Sequence, residues 1–264
     1  MAERDEESGT LPDGIDFERP SVARVYDYLL GGCHNFAVDR TAADTYVARI
    51  PEIAAATRAN RSFLRRAVRY ATQAGVRQFL DLGSGLPTAG NVHEAAPEAS
   101  VVYVDSEAAA IAHGRTMLGE AGRVRMLHAD LRDVDAVLGS PEVGEVLDLD
   151  QPVGILLLGV LHFIPVGTDL VGLIGKYRVA MAPGSQLMVS AAIRESDDGF
   201  DWTSRQSLHA GFHTLARADV EKLFDGFELV DPGIVHATRW RTDMAQPSDE
   251  LVGRLPGVVG VARL

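Results

Sequence analysis

One cysteine, Cys33, is present among 264 residues, so neither a disulfide framework nor a multi-cysteine metal site can be built. His93, His162, His209 and His213 lack the spacing that puts zinc ligands on one helical face, and no metal is expected. No apolar run reaches the roughly 18 residues of a membrane span. The longest, Val153 to Ile164, is strand-like and contains His162. The opening MAERDEESGT has neither the basic nor the apolar region of a secretory signal. Positive charge is also in deficit: 25 Lys and Arg against 37 Asp and Glu give a net charge of −12. A nucleic-acid partner normally wants a basic face, so that class is disfavoured. These absences predict a cytoplasmic protein with no membrane or nucleic-acid partner, working on a small molecule.

What remains is ordinary globular composition, 46% apolar and 23% charged, with length enough for a substantial core. Residues 1–14 are acidic and polar and read as a flexible tail. Val22, Val25, Tyr26, Leu29 and Leu30 then follow helical spacing until Gly31-Gly32 stops the helix. Further helices are predicted from Asp39 to Ile50 and from about Glu52 to Gln73, which makes residues 15–75 a helical cap. From residue 76 to 264 the pattern alternates. Strands are predicted at Gln78–Leu82, Val101–Val104, Val124–His128, Val153–Gly159 and Gln186–Ala191. Helices are expected near Asn91–Ala96, Ala108–Leu118, Val134–Leu138, Asp169–Met181 and Ala218–Phe224. Short apolar strands separated by helices imply a parallel sheet covered on both faces. Phe227–Val230 and Ile234–Thr238 flank Asp231-Pro232-Gly233, too close for a crossover helix, and predict an antiparallel hairpin.

The first strand runs into Asp81-Leu82-Gly83-Ser84-Gly85-Leu86-Pro87-Thr88. Gly83 and Gly85, one residue apart at a strand exit, let a ligand approach the backbone closely. A dinucleotide fingerprint would want a third glycine where Thr88 stands, to pack helix on strand beside a pyrophosphate. A ligand without phosphate, such as S-adenosylmethionine, relaxes that demand, and Asp81 suits its ammonium and sulfonium. The second strand ends at Asp105, placed to accept from a ribose diol or to cap the following helix, beside Ser106. The third ends at Asp130-Leu131, placed for an adenine amino group and ring face. The three acidic strand ends together are more specific than any one of them.

DLGSG, VVYVDSE, HADLRD and MAPGSQLMVS, in that order, resemble the motif series of class I S-adenosylmethionine-dependent methyltransferases. PSVARVYDYLLGGCHNFAVDR, RSFLRRAVRY, DLGSGLPTAGNVHE, VLHFIP and LFDGFELVDPG resemble a bacterial family of such enzymes long carried as a domain of unknown function, over about residues 15 to 264. The resemblance implies an α/β, Rossmann-like class I methyltransferase fold. Its sheet is seven-stranded and mostly parallel, with an antiparallel C-terminal hairpin and an N-terminal helical extension. It also implies S-adenosyl-L-methionine as cofactor and an unidentified, small-molecule methyl acceptor. The cofactor is expected to meet Tyr26, Asn35, Gly83, Ser84, Gly85, Thr88, Asp105, Ser106, Asp130, Leu131 and Gly159. The family usually carries a lysine and an aspartate where Cys33 and His34 stand here, which puts any role of that pair in doubt.

His162 follows the fourth strand at the expected acceptor rim, where it can be a general base or a packed, hydrogen-bonded ring. His93 has the same two readings. Residues 195–213 could form a lid or a surface loop. Arg58, Arg61, Arg65 and Arg69 share one face of the third helix, and the solvated-face reading is preferred to attraction of an anionic acceptor. Competing readings of the whole chain are a catalytically silent S-adenosylmethionine-binding protein and an NAD(P)-dependent dehydrogenase. Thr88 and the C-terminal hairpin count against the dehydrogenase.

Overall fold

The computed structural model describes residues 16, 18–88, 90–119, 122–194, 212–242 and 257–264. The acidic tail 1–14 and most of the lid candidate 195–213, including His209, lie outside them.

Five parallel strands form the centre of one sheet: β1 (Gln78–Leu82), β2 (Ser100–Asp105), β3 (Val124–His128), β4 (Gly154–Leu158) and β5 (Gln186–Ala191). β1 is apolar throughout apart from Gln78 and Asp81 and is wholly buried, as a strand covered on both faces must be. Its side chains alternate between two cores. Leu80 and Leu82 join Val102, Ile155, Leu187 and Tyr177 on one face, while Phe79 joins Val101, Leu156 and Met188 on the other. The first face is covered by α6 (Val134–Leu138), α8 (Leu170–Val179) and α9 (Arg217–Lys222). The second is covered by α3 (Ile53–Gln73), α4 (Val92–Ala95) and α5 (Ala108–Leu118). A short helix α7 (Pro141–Val146), absent from the predicted elements, carries Val143 into the first core.

Strand order is β3-β2-β1-β4-β5, continued at the edge by two C-terminal strands, so successive strands run one way from β1 and then the other from β4. The crevice between the carboxyl ends of β1 and β4 is where such sheets bind ligands.

The expected class of fold is present, mixed at its C-terminal edge, but the hairpin needs correcting. β6 (Glu228–Leu229) and β7 (Val235–His236) do not pair with each other; both pair antiparallel with β8 (Val258–Arg263). Glu228 faces Arg263 and His236 faces Val258, so the two segments advance along one edge of β8 in the same direction. Residues 230–234 are a jog in that edge rather than a reversal. Val230 N still donates to Val261 O, and the Gly233 N to Val230 O bond closes the jog. β8, which has no counterpart among the predicted strands, is itself antiparallel to β5.

α1 (Val22–Leu29) and α2 (Ala37–Arg49) lie outside the two main cores. Val25, Leu29 and Ala43 form a small cluster between them, and Ala23 packs on Leu86 and Ala110, which seats α1 on the loop after β1. α3, predicted as part of the cap, instead lays Phe63, Leu64, Ala67, Val68 and Ala71 directly on the sheet.

Candidate functional site

Two cavities adjoin at the carboxyl ends of the strands. The larger, about 360 Å³, is walled by the loops after β1, β2, β3 and β4, by Ala23 and Tyr26 of α1, and by Asn60 and Arg61 of α3. The smaller, about 170 Å³, lies between α1–α3 and the ends of β5, β7 and β8. Val22, Tyr26, Asn60, Gly159 and Phe163 line both.

The glycine loop is shaped by two constraints. Gly83 and Gly85 have φ of 75° and 65°, left-handed values that side chains rarely adopt. A Cβ on Gly83 would also lie 2.2 Å from Val160 Cγ2. The loop is held from the neighbouring strand. Gly83 N and Ser84 N donate to Val104 O, and Gly85 N donates to Asp105 Oδ2 at 2.8 Å. Asp105 Oδ1 accepts from Glu107 N at 2.8 Å. The N-cap position of α5 belongs to Glu107, not to Asp105. Backbone N–H groups of Gly85, Ser106 and Glu107 bond the Asp105 carboxylate, which keeps a further lone pair for a ligand. Burial raises the Asp105 pKa, against the pull of those backbone bonds.

Asp81 lies deeper. Burial pushes its pKa up to about 7; the nearby Arg61 guanidinium works the other way and Asp105 adds to the rise. Glu107, half-buried in the same wall, is raised mainly by burial while the Ser21 side chain and Ala23 N–H bond it. Asp130 differs: Arg132 embraces its carboxylate with Nε at 2.9 Å and with Nη2, holding its pKa below the ordinary value. Backbone openness at glycine, with four carboxylates and two guanidiniums on the walls, suits a ligand that is cationic overall and bears hydroxyls and an amino-acid end.

Of the expected cofactor residues, Tyr26, Gly83, Ser84, Gly85, Asp105, Ser106, Asp130, Leu131 and Gly159 line the larger cavity. Asn35 and Thr88 do not. Asn35 is buried in the loop between α1 and α2, donating to Asp27 Oδ2 at 2.9 Å and to Gly32 O. Gly32 is required there because a Cβ would overlap the Asp27 carboxylate. Thr88 sits past the loop, its N–H bonded to Leu86 O. Cys33 is exposed and His34 donates its backbone N–H to Asp27, so neither side chain reaches either cavity.

The arginine row of α3 is solvated at Arg58, Arg65 and Arg69 but not at Arg61. Arg61 donates to Asn91 Oδ1 at 2.8 Å, lies 5.5 Å from the Tyr26 ring centre and has a buried Nε with no partner among the described residues. Arg61, Glu107 and Arg132 are site residues that the sequence reading left out; the only signal for Arg61 was its membership of that row. His93 lines neither cavity, its ring bonded to the Tyr103 hydroxyl at 2.7 Å.

His162 lines the smaller cavity within an aromatic cluster, 4.5 Å from the Phe163 ring and 4.8 Å from Phe212. Part of its surface is reached through the cavity, while burial and then the charge of His213 pull its pKa down to about 3. The ring is therefore neutral at pH 7 and a weak base. Among the described residues its buried Nδ1 has no partner, and neither has Oδ1 of Asn60, one of the residues common to both cavities.

Residues 8–264 match the family described as S-adenosyl methyltransferase. No curated protein matches the chain. A crystal structure from Thermobifida fusca YX, of a candidate methyltransferase, is 39% identical, covering 96% of this chain and 97% of that one, with a TM-score of 0.85. A DUF574 family protein from Streptomyces avermitilis MA-4680 is 32% identical over 94% of this chain and 98% of its own, also with a TM-score of 0.85. An S-adenosylmethionine-dependent methyltransferase from Mesorhizobium loti shares the fold at 18% identity, covering 75% and 96%, with a TM-score of 0.51.

Proposed function

The chain belongs to the S-adenosyl methyltransferase family, uses S-adenosylmethionine, and we propose that it methylates a small molecule bound in the smaller of its two cavities. The observation that carries the reading is the junction of those cavities, which share Tyr26, Asn60, Gly159 and Phe163 as a common wall. A donor in one and an acceptor in the other would meet there, and positioning of that kind supplies much of the catalysis of a displacement.

The larger cavity fits the cofactor by its own chemistry. Asp81 and Arg61, opposite charges at the glycine loop, would hold the ammonium and carboxylate of the amino-acid end. Asp105 would accept from the ribose hydroxyls with lone pairs its backbone bonds leave open. Asp130, engaged by Arg132, is proposed to meet the adenine amino group with its outer lone pairs, over Leu131. When bound, the cofactor supplies a methyl group made electrophilic by the sulfonium. The chain's part is to orient it beneath α1 and to fix the acceptor. His162 is assigned to the acceptor wall and not to proton removal, because a group with a pKa near 3 is a poor base at neutral pH.

Calorimetry tests the cofactor assignment. S-adenosylhomocysteine should bind with a Kd on the order of micromolar, and NAD far more weakly. Asp105→Ala should weaken the former by about 1–3 kcal/mol, because ribose hydroxyls are left unpaired in a partly dry site. The assignment is withdrawn if NAD binds tightly while the homocysteine compound gives no heat, or if Asp105→Ala binds normally.

A further inference from the structure

The smaller cavity differs from the larger in one decisive respect. Among the described residues lining it there is no Lys, Arg, Asp or Glu. Its walls are aliphatic side chains from α1 and α3 and from β5 and β8, with Leu29, Ile53, Ala56, Ala191 and Val258 among them. Four lining groups could take a charge, Tyr26, Tyr46, His162 and His236, and the surroundings hold two of them neutral. Burial raises the Tyr46 hydroxyl above its ordinary pKa, and His162 is pulled far below its own. His236 Nδ1 is engaged by the Thr238 side chain, 2.8 Å from its Oγ1. A charged group entering this space would lose its hydration and find no counter-charge among the described lining residues.

Tyr26 and Asn60 bring polar atoms to the wall shared with the cofactor cavity. Asn60 Nδ2 donates to the Tyr26 hydroxyl at 3.0 Å, which in turn donates to Thr57 O at 3.4 Å. Asn60 Oδ1 has no partner among the described residues, at the wall shared with the cofactor cavity. The rings of Phe163, Phe212 and His162 meet at tilted or edge angles on another side. Faces and edges of aromatic rings favour a flat partner.

We propose that this cavity selects an uncharged, flat aromatic acceptor of one or two fused rings, with a single hydroxyl or amine N–H directed at Asn60 and Tyr26. The proposal rests on the methyltransferase reading and narrows its substrate class. In the transfer, a lone pair on that oxygen or nitrogen forms the bond to the methyl carbon. The carbon–sulfur bond breaks with its electron pair staying on sulfur, and the heteroatom's proton leaves to water. The volume, about 170 Å³, is on the scale of such a ring system.

The test uses the full chain saturated with S-adenosylhomocysteine, titrated at pH 7 with 2-naphthol and with 2-naphthoate, which share a ring system and differ in charge. 2-Naphthol should bind at least about tenfold more tightly, reflecting the unmet cost of burying a carboxylate. Ala56→Trp, which fills the smaller cavity alone, should reduce 2-naphthol affinity about tenfold or more and leave S-adenosylhomocysteine affinity within about twofold. His162→Leu should weaken 2-naphthol without touching the cofactor. Should Ala56→Trp fail to bind cofactor, the comparison of the two probes on the unaltered chain still decides. Equal or tighter binding of 2-naphthoate, no binding of 2-naphthol, or binding that survives a folded Ala56→Trp overturns the proposal. Failure of S-adenosylhomocysteine itself to bind would instead sink the cofactor assignment.

Discussion

Asp81 couples proton binding to cofactor binding. A carboxyl whose pKa has been pushed up to about 7 by burial is half protonated at neutral pH. A ligand ammonium placed beside it favours the ionised form, so binding expels a proton over the range below pH 7. S-adenosylhomocysteine affinity should therefore rise between pH 6 and pH 8, with a slope approaching one logarithmic unit per pH unit on the acid side. Asp81→Asn should flatten that slope and weaken binding at pH 8. In the ligand-free chain the sign is opposite. The folded pKa lies above the unfolded one, so this group's contribution to stability is full below about pH 4 and lost as pH rises through 7. Removing the charge in Asp81→Asn should accordingly raise the melting temperature more at pH 8 than at pH 5. A pH-independent affinity in the unaltered chain would refute the coupling.

At this scale the sequence was readable where backbone geometry and a strand end coincide. Gly83, Gly85, Asp105 and Asp130 sit at fixed offsets from short apolar runs, and each lines the larger cavity. Arg61 was not readable, because an arginine that turns inward has the same spacing as the solvated Arg58 and Arg65 beside it. Asn35 misled for a related reason: an amide next to two glycines suits a ligand loop, yet it also suits a buried Asp27 that needs donors.

Elements bounded by apolar runs and glycine or proline were legible almost to the residue, as β1, β3, β5 and α5 show. The C-terminal edge was not. Asp231-Pro232-Gly233 is turn chemistry, and only the partner strand Val258–Arg263 reveals that it makes a jog instead of a reversal. The smaller cavity was equally hidden, since it forms only when α1–α3 meet β5, β7 and β8.

How α1 and α2 stay over the site is a question of elements. Their shared apolar cluster is small, but Arg24 and Asp39 form an ion pair at 2.7 Å with side chains 3% and 0% exposed. Asp39 also accepts from Ser21 N at 2.9 Å and Phe36 N at 2.8 Å, tying both helix starts together. Removing one partner of a buried pair strands the other and costs about 3–5 kcal/mol. Asp39→Ala should therefore loosen residues 22–49 before the sheet. Amide exchange should accelerate across α1 and α2 while β1, β4 and β5 stay protected. S-adenosylhomocysteine affinity should fall with it, because Ala23 and Tyr26 leave the cavity wall. Uniform destabilisation of cap and sheet together would show that the two form one cooperative unit and defeat this account.

Over the whole molecule the net charge of −12 and the placement of acids around the cofactor cavity act in the same direction. Asp81, Asp105, Glu107 and Asp130 line it against Arg61 and Arg132, so carboxyl groups outnumber guanidiniums on its walls. S-adenosylmethionine has a sulfonium and an ammonium against one carboxylate, a net positive charge; S-adenosylhomocysteine lacks the sulfonium and is neutral overall. A negative field attracts the first at a distance and is nearly indifferent to the second. Since the screening length shrinks from about 30 Å at 0.01 M salt to about 3 Å at 1 M, the attraction is removable by salt. Stopped-flow association rates for S-adenosylmethionine should then fall roughly threefold or more between low and high ionic strength. Those for S-adenosylhomocysteine should change by less than about twofold over the same range. The difference would favour capture of the charged donor and leave release of the neutral product unopposed. Equal salt dependence of the two ligands would mean that the surface field plays no part, and that discrimination is confined to contacts made inside the cavity.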